Sequence, residues 1–276
     1  MGDLAGTRIA LLEARRSSEL AELVRRQGGE PFCAPAVRES VLDCTDEVSA
    51  FVDRLTRGSI EIVIFLTGVG ATTLFREVEK IGRLPEFLEA LKGVTTVCRG
   101  PKPVAALKRT GVQVSLAAPE PNTTKELLEV MDHLDMRDEG VALMHYGERN
   151  DLLVEALRSR GARLTEICLY EWLMPEDVQP LRNLVQEVIG GSMDVVAFTS
   201  QIQIRHLFKI AEETGRADAL TVALNDRVIV ASIGPTCTGV LQSYGVEPRI
   251  VPEHPKMGHM ILAVSEYLKS NPRGEA

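Results

Sequence analysis

The second half of this 276-residue chain repeats the first half at an offset of 132 to 134 residues. A single short match can arise by chance, but these matches occur in the same order in both halves. They pair Ala10-Leu11-Leu12 with Ala142-Leu143-Met144, Gly28 with Gly161, Phe65-Leu66-Thr67 with Ala197-Phe198-Thr199, Gly100-Pro101 with Gly234-Pro235, and Gly111-Val112 with Gly245-Val246. A fixed period marks a duplicated structural unit, so the sequence predicts two copies of one fold.

Each copy alternates short β-prone apolar runs with amphipathic helical segments, which is the pattern of parallel α/β units. The predicted strands are residues 8–12, 60–66, 95–98, 112–116, 141–145, 164–169, 194–199, 228–233 and 247–251. The length also favours two domains over one, since a domain typically has roughly 100–200 residues. Ligands of open α/β sheets bind beyond the carboxyl ends of the strands, so a cleft between the two domains is the expected site.

Charge and composition exclude several classes of protein. The 31 Lys and Arg residues against 39 Asp and Glu residues give a net charge of −8, which argues against binding of nucleic acid through a basic field. The apolar runs are far shorter than the ~20 residues of a membrane span, and no basic and apolar leader is visible. The five scattered cysteines have no metal-binding spacing and are expected to be buried thiols, so we expect a cytoplasmic protein without a metal site.

Two Gly-containing turns in the first half follow strands and open helices, where backbone N–H groups can bind an anion. In residues 67–73 the sequence is TGVGATT, whose hydroxyls and N–H groups contact an anion or only cap the helix. This turn lacks the third glycine of a dinucleotide fingerprint, and its counterpart at 199–203 has no glycine, which disfavours a nucleotide-dependent enzyme on paired Rossmann domains. In the second turn, Arg99 and Lys102 flank Gly100-Pro101, which favours anion binding over simple capping.

Other basic and aromatic residues are also predicted to follow strands. Arg15, Lys256 and Arg149 add positive charge there, although each alone is typical of an exposed surface residue. Tyr146 and Tyr170 lie at strand ends, where a phenol acts as a weak general acid or is simply a half-buried aromatic.

Three sets of segments together resemble the uroporphyrinogen-III synthase family. These are the FLTG and AFTS segments at 65–68 and 197–200, the Gly-to-Gly runs at 100–111 and 234–245, and the YG-containing run at 146–161. The resemblance implies two flavodoxin-like parallel-sheet α/β domains joined by a two-stranded β linker. It implies that domain one comprises residues 1–35 and 174–276, that domain two comprises residues 41–167, and that residues 36–40 and 168–173 form the linker. Composition alone does not choose between this arrangement and two tandem domains.

The resemblance further implies that the protein cyclises the linear tetrapyrrole hydroxymethylbilane to uroporphyrinogen III, without a cofactor. Tyr170 matches the family tyrosine that helps to expel the terminal hydroxyl. With the basic residues and turns above, the positions predicted to bind this polycarboxylate are Arg15, Thr67, Gly68, Arg99, Gly100, Lys102, Tyr146, Gly147, Thr199, Ser200, Gly234, Thr236 and Lys256. The expected protein is a monomer that makes at most transient contact with the preceding enzyme of its pathway.

One departure from the family leaves a second function open. Many members carry threonine three residues after the glycine of both Gly-x-x-Thr turns, whereas this chain has Pro103 and Cys237 there. Thr236 or Thr238 can substitute for the second threonine, but no neighbour substitutes for the first. The alternative is therefore a non-catalytic, bilobal regulatory module that senses a tetrapyrrole or another small anion.

Overall fold

Two separate parallel β-sheets organise the chain, and each belongs to its own structural unit. The computed structural model describes residues 4–145 and 147–271. Unit 1 comprises Met1–Arg38 with Leu173–Ala276, and unit 2 comprises Glu39–Trp172. Strands β3 (Arg38–Val41) and β9 (Tyr170–Leu173) pair in a two-stranded sheet that contains both points where the chain passes between the units.

Unit 1 contains a four-stranded parallel sheet with the order β11-β10-β1-β2. Its strands are β1 (Arg8–Leu11), β2 (Glu30–Cys33), β10 (Val195–Phe198) and β11 (Ile229–Ser232). Its helices are α1 (Ser17–Arg26), α8 (Gln179–Ile189), α9 (Gln201–Glu213), α10 (Ala217–Asp226), α11 (Pro235–Ser243) and α12 (Met257–Ser270).

Both faces of the unit 1 sheet are buried, which explains the continuous apolar runs of its strands. Ile9 and Leu11 of β1 belong to a cluster with residues of α1 and α12, whereas Ala10 and Leu12 belong to the cluster formed with α8 to α11. Successive side chains of a strand point to opposite faces, so one strand supplies two hydrophobic cores.

Unit 2 contains a five-stranded parallel sheet with the order β6-β5-β4-β7-β8. Its strands are β4 (Ile62–Phe65), β5 (Thr95–Cys98), β6 (Leu116–Ala117), β7 (Gly140–Met144) and β8 (Arg163–Ile167). Its helices are α2 (Thr45–Thr56), α3 (Gly68–Lys80), α4 (Leu84–Leu91), α5 (Pro101–Arg109), α6 (Thr124–Val130) and α7 (Asp151–Ser159). One hydrophobic cluster packs around this sheet and includes the fully buried strand β4.

The two strand orders are the same once the sequence repeat is taken into account. Strands β7, β8, β4 and β5 of unit 2 correspond to β1, β2, β10 and β11 of unit 1, and they are neighbours in the same spatial order. The four shared strands have the order 2-1-3-4 of the flavodoxin-like order 2-1-3-4-5, and β6 is the fifth strand in unit 2, whose chain enters the sheet at its third strand. The predicted α/β class, with two parallel-sheet domains and a two-stranded linker, is confirmed.

Several local predictions need correction. Only Leu116–Ala117 is a strand where residues 112–116 were predicted, and the 247–251 segment forms a single parallel bridge between Ile250 and Ala231. The edge strand β2 was not predicted because Pro31 interrupts a short segment whose side chains are only partly buried. Cys33 in this strand is exposed, so the prediction that all five cysteines are buried is wrong. No helix among residues 4–145 and 147–271 is long and apolar enough to cross a membrane.

Candidate functional site

In unit 2, Thr67 joins the carboxyl end of β4 to the first turn of α3. Its backbone is extended, and its Oγ1 accepts a hydrogen bond from the Gly70 N–H at 2.9 Å, so it is the N-cap of the helix. The same Oγ1 lies 3.1 Å from the Oη of Tyr170. The Thr67 hydroxyl therefore both caps α3 and contacts Tyr170.

Tyr170 is fully buried, with 1% of its surface exposed. The half-buried aromatic considered from the sequence is therefore not observed. A Cβ atom built on Gly70 would lie 3.1 Å from Thr67 Oγ1, 3.6 Å from the carbonyl oxygen of His145 and 3.8 Å from Tyr170 Cε1. The absence of a side chain at Gly70 thus lets these three residues approach one another.

The N-termini of helices α3 and α5 meet at the same edge of the sheet. A Cβ atom on Gly68 would lie 2.8 Å from the backbone oxygen of Lys102, so glycine permits this close approach. Gly100 is the N-cap of α5, with Pro101 in its first turn as predicted, and the Asn122 side chain packs against it. Two helix N-termini and Lys102 therefore create a positive potential at this edge.

Arg99 and Lys102 differ in their surroundings. Arg99 is partly buried, and its backbone N–H donates to the carbonyl oxygen of Phe65 at 3.0 Å. Lys102 is exposed, and its ammonium group forms no ion pair with the residues that the structure describes. Lys102 is thus available for an anionic ligand.

Gly147, another predicted contact, has a structural function in unit 2. It has a φ of +88°, and the indole of Trp172 packs so closely on it that a Cβ atom would lie 2.8 Å from Cδ2. Both the left-handed backbone and this packing require glycine. Its predicted neighbour Tyr146 lies outside the described residues.

A group of ionisable side chains at the ends of β7 and β8 was not found from the sequence. His145, 4% exposed, has its Nε2 2.9 Å from Oε2 of Glu166. Glu166 also accepts hydrogen bonds from Arg149 and Arg158, at 2.7 to 3.0 Å. The Arg149 guanidinium is the main reason that the pKa of Glu166 is lowered, with a further contribution from His145. A single buried histidine carries no local motif, which explains the omission.

In unit 1, the turn after β10 is hydrogen-bonded to the carboxylate of Glu13. Thr199 Oγ1 donates to Oε2 of Glu13 at 2.6 Å and accepts from Nε2 of Gln203 at 2.8 Å. Oε1 of Gln203 accepts from the backbone N–H groups of Thr199 and Ser200. The hydroxyl proton of Thr199 is therefore already donated within the protein. Arg15 is exposed in the neighbouring segment between β1 and α1.

Two other helix N-termini meet in unit 1. Gly234 is the N-cap of α11, and a Cβ atom on it would lie 3.3 Å from Cβ of Pro255, just before the α12 N-cap Lys256. Thr236 and Lys256 are both exposed there, and Lys256 forms no ion pair within the described part of the chain. This edge of unit 1 thus carries the same combination of helix N-termini and lysine as the edge of unit 2.

The two positions that depart from the family threonines are both buried. Pro103 lies inside α5, and Cys237 is 3% exposed in α11, where burial raises the pKa of its thiol to about 12. Thr238 donates its hydroxyl proton to Ser232 Oγ at 3.0 Å, so it already has an internal partner, whereas Thr236 is exposed. Within the described residues, no group of three His, Cys, Asp or Glu side chains could hold a metal ion.

Comparisons with known proteins agree over nearly the whole chain. The family model described as uroporphyrinogen-III synthase HemD matches residues 18–262. An uncharacterized protein of Bacillus subtilis, YjjA, is 30% identical over 96% of this chain and 97% of its own length. A putative uroporphyrinogen-III synthase of Methanothermobacter thermautotrophicus is 28% identical over 91% and 94%. A mutant uroporphyrinogen III synthase from Thermus thermophilus has a structure with a TM-score of 0.81 and 27% identity, covering 96% of this chain and 100% of that chain.

Proposed function

Because the chain belongs to the uroporphyrinogen-III synthase HemD family, we propose that it cyclises hydroxymethylbilane to uroporphyrinogen III with inversion of ring D. The family match includes parts of both units, and the Thr67–Tyr170 pair is the local observation that carries the proposal. The enzyme class is then a cyclising lyase that releases water.

Tyr170 is proposed as the acid that assists departure of the terminal hydroxyl. In this step the C–O bond of the bilane breaks, and the hydroxyl leaves as water with a proton from Tyr170. The Gly70 N–H fixes the orientation of Thr67 Oγ1, whose own proton can be donated to Tyr170 Oη. In this step the phenol is the proton donor to the leaving hydroxyl.

Ring closure restores the acid. The azafulvene cation bonds to the substituted α-carbon of ring D and forms a spiro intermediate. The bond from that carbon to the methylene between rings C and D then breaks, and the methylene bonds to the free α-carbon of ring D. The proton on this carbon must leave to restore the aromatic pyrrole, and the tyrosinate can accept it. No electrons are gained or lost overall, so the reaction requires no redox cofactor. Water would capture the cationic intermediate, so the acid must act away from bulk solvent, and Tyr170 has only 1% of its surface exposed.

The substrate carboxylates are proposed to bind at the helix N-termini. In unit 2, Arg99 and Lys102 supply positive charge where α3 and α5 begin. In unit 1, Arg15, Thr236 and Lys256 lie near the starts of α1, α11 and α12. Separate anion sites of this kind allow a protein of net charge −8 to bind a polycarboxylate.

The test is an assay with freshly prepared hydroxymethylbilane. The products are oxidised to porphyrins and their type I and type III isomers are separated by chromatography. We expect the type III isomer to form in proportion to the protein concentration. If only the type I isomer of the spontaneous reaction forms, the protein is not a synthase.

A non-catalytic tetrapyrrole-sensing module is the second candidate. The observation that favours it is the burial of Pro103 and Cys237, which leaves no hydroxyl at either family threonine position. Saturable binding of uroporphyrinogen III without formation of the type III isomer would support this candidate over the synthase.

A further inference from the structure

His145 has a buried ring atom without a partner. Its Nδ1 is inaccessible and forms no hydrogen bond with any residue that the structure describes, and the side chain is only 3% exposed. A buried polar atom that lacks a hydrogen bond is costly, so such atoms usually meet a partner in the functional state. Another buried histidine offers a contrast, because His206 has its Nδ1 2.6 Å from the carbonyl oxygen of Ala36.

The neighbours of His145 define the chemistry of that atom. Glu166 stays ionised between Arg149 and Arg158, and an ionised carboxylate only accepts hydrogen bonds. Nε2 must therefore carry the proton that it shares with Glu166. In a neutral imidazole this leaves a lone pair on Nδ1, which makes it a hydrogen-bond acceptor.

His145 also lies beside the residues of the proposed reaction. Its carbonyl oxygen would be 3.6 Å from a Cβ atom on Gly70, which would contact Thr67 and Tyr170 as well. The carboxyl end of β7 therefore lies next to Thr67 and Tyr170. Pyrrole rings supply N–H donors, which are the complement of a buried acceptor.

We propose that His145, held by Glu166, is a substrate-binding residue whose Nδ1 accepts a hydrogen bond from a pyrrole N–H of the bound tetrapyrrole. The proposal rests on the proposed synthase function and adds to it a contact with the pyrrole core of the substrate. The anion sites, by contrast, recognise only its carboxylates.

The first test observes Nδ1 directly. Long-range 1H–15N spectra of the histidine-labelled protein report the protonation and hydrogen bonding of each ring nitrogen. We expect an unprotonated His145 Nδ1 in the free protein that shifts toward the hydrogen-bonded position when uroporphyrinogen III is added anaerobically. The Nδ1 signal of His206 should not move. A protonated Nδ1 in the free protein, or an Nδ1 signal that ignores saturating uroporphyrinogen III, would overturn the proposal.

The second test uses substitutions. His145→Phe removes the acceptor but leaves Glu166 paired with both arginines, and His145→Asn retains an acceptor near the position of Nδ1. We expect the Kd for uroporphyrinogen III to rise about tenfold in His145→Phe and to stay within about threefold of the original value in His145→Asn. Thermal unfolding verifies that both variants fold. If both fold and bind as tightly as the unmodified protein, His145 is not a substrate-binding residue.

The two proposals can fail separately. Type III product with an unchanged His145 signal would preserve the synthase and reject the binding function of His145. A shifted His145 signal with only type I product would preserve the binding function of His145 and reject the synthase. Absence of uroporphyrinogen III binding to the unmodified protein would reject the binding function of His145, and product analysis would still decide the synthase activity.

Discussion

Replacement of Tyr170 by phenylalanine tests the proposed acid with the smallest change that the site allows. The substitution removes one oxygen and keeps the buried ring, which has 1% of its surface exposed. It deletes the contact between Tyr170 Oη and Thr67 Oγ1 at 3.1 Å. Thr67 keeps its hydrogen bond from the Gly70 N–H, so the cap of α3 remains in place.

The expected loss of stability is small. One hydrogen bond between neutral groups contributes about 0.5–1.5 kcal/mol net, and no cavity forms because phenylalanine fills the same space except for the hydroxyl. A loss of about 1 kcal/mol lowers Tm by roughly 2–4 °C in a protein of this size class.

The expected loss of activity is much larger. A positioned general acid typically contributes about 10²–10⁴-fold to a rate, so we expect kcat for type III formation to fall by that factor in Tyr170→Phe. Hydroxymethylbilane that the variant does not convert will cyclise spontaneously, so the fraction of type I product should rise. Rapid quenching, oxidation and chromatographic separation of the isomers measures both quantities.

Tyr244→Phe is the matched control. Tyr244 follows α11 and stacks on Phe208 with ring centroids 4.1 Å apart, so phenylalanine preserves its packing. We expect the control to retain the original kcat. If Tyr170→Phe folds and its kcat is within about twofold of the original, proton transfer from Tyr170 does not limit the reaction, and the assignment of general acid catalysis to this residue is wrong.

Three further predictions concern packing, pH and reactivity. Gly68→Ala should lower Tm because the new Cβ atom would lie 2.8 Å from a backbone oxygen. Gly239→Ala lies within α11 with open space around it and should raise the free energy of unfolding by about 0.5–1 kcal/mol, and thermal unfolding of both variants tests these expectations. Because the pKa of Glu166 is lowered, its ionised carboxylate stabilises the fold above the ordinary carboxyl pKa, and this stabilisation is lost as the pH falls through the lowered value. Glu166→Gln should therefore lower Tm at pH 7 and have a progressively smaller effect below about pH 4.3, and equal Tm differences at pH 7 and well below pH 4.3 would contradict this prediction. At pH 8, iodoacetamide should label exposed Cys33 in the native protein but not Cys237, whose thiol has its pKa raised to about 12, as peptide mass spectrometry would show.

The fold was largely predictable because its signals are local or periodic. Strands such as β4 and β10 are uninterrupted apolar runs, and both lie in the centre of a buried sheet. The sequence repeat predicted the duplication. The edges of the sheets were less predictable, because β2 and β6 are short and only partly buried, and their pairing depends on neighbours far away in the chain.

The candidate site was predictable only in part. Turns that join strands to helices have local signatures, so Thr67, Gly100 and Gly234 were placed correctly at helix N-caps. The partners of these turns were not predictable. The contact between Thr67 and Tyr170 joins residues 103 positions apart, and no spacing rule connects them.

The two repeats differ at the threonine that the proposed chemistry uses in unit 2. Thr67 and Thr199 occupy equivalent positions, but Thr67 contacts the phenol of Tyr170 and Thr199 donates its proton to the carboxylate of Glu13. A phenol beside a hydroxyl can release a proton to a leaving group. A carboxylate that already accepts the threonine proton cannot act as such a proton donor. Duplication therefore produced the same strand-to-helix turn twice, and residues outside the repeated turns gave its two threonines different hydrogen-bond partners.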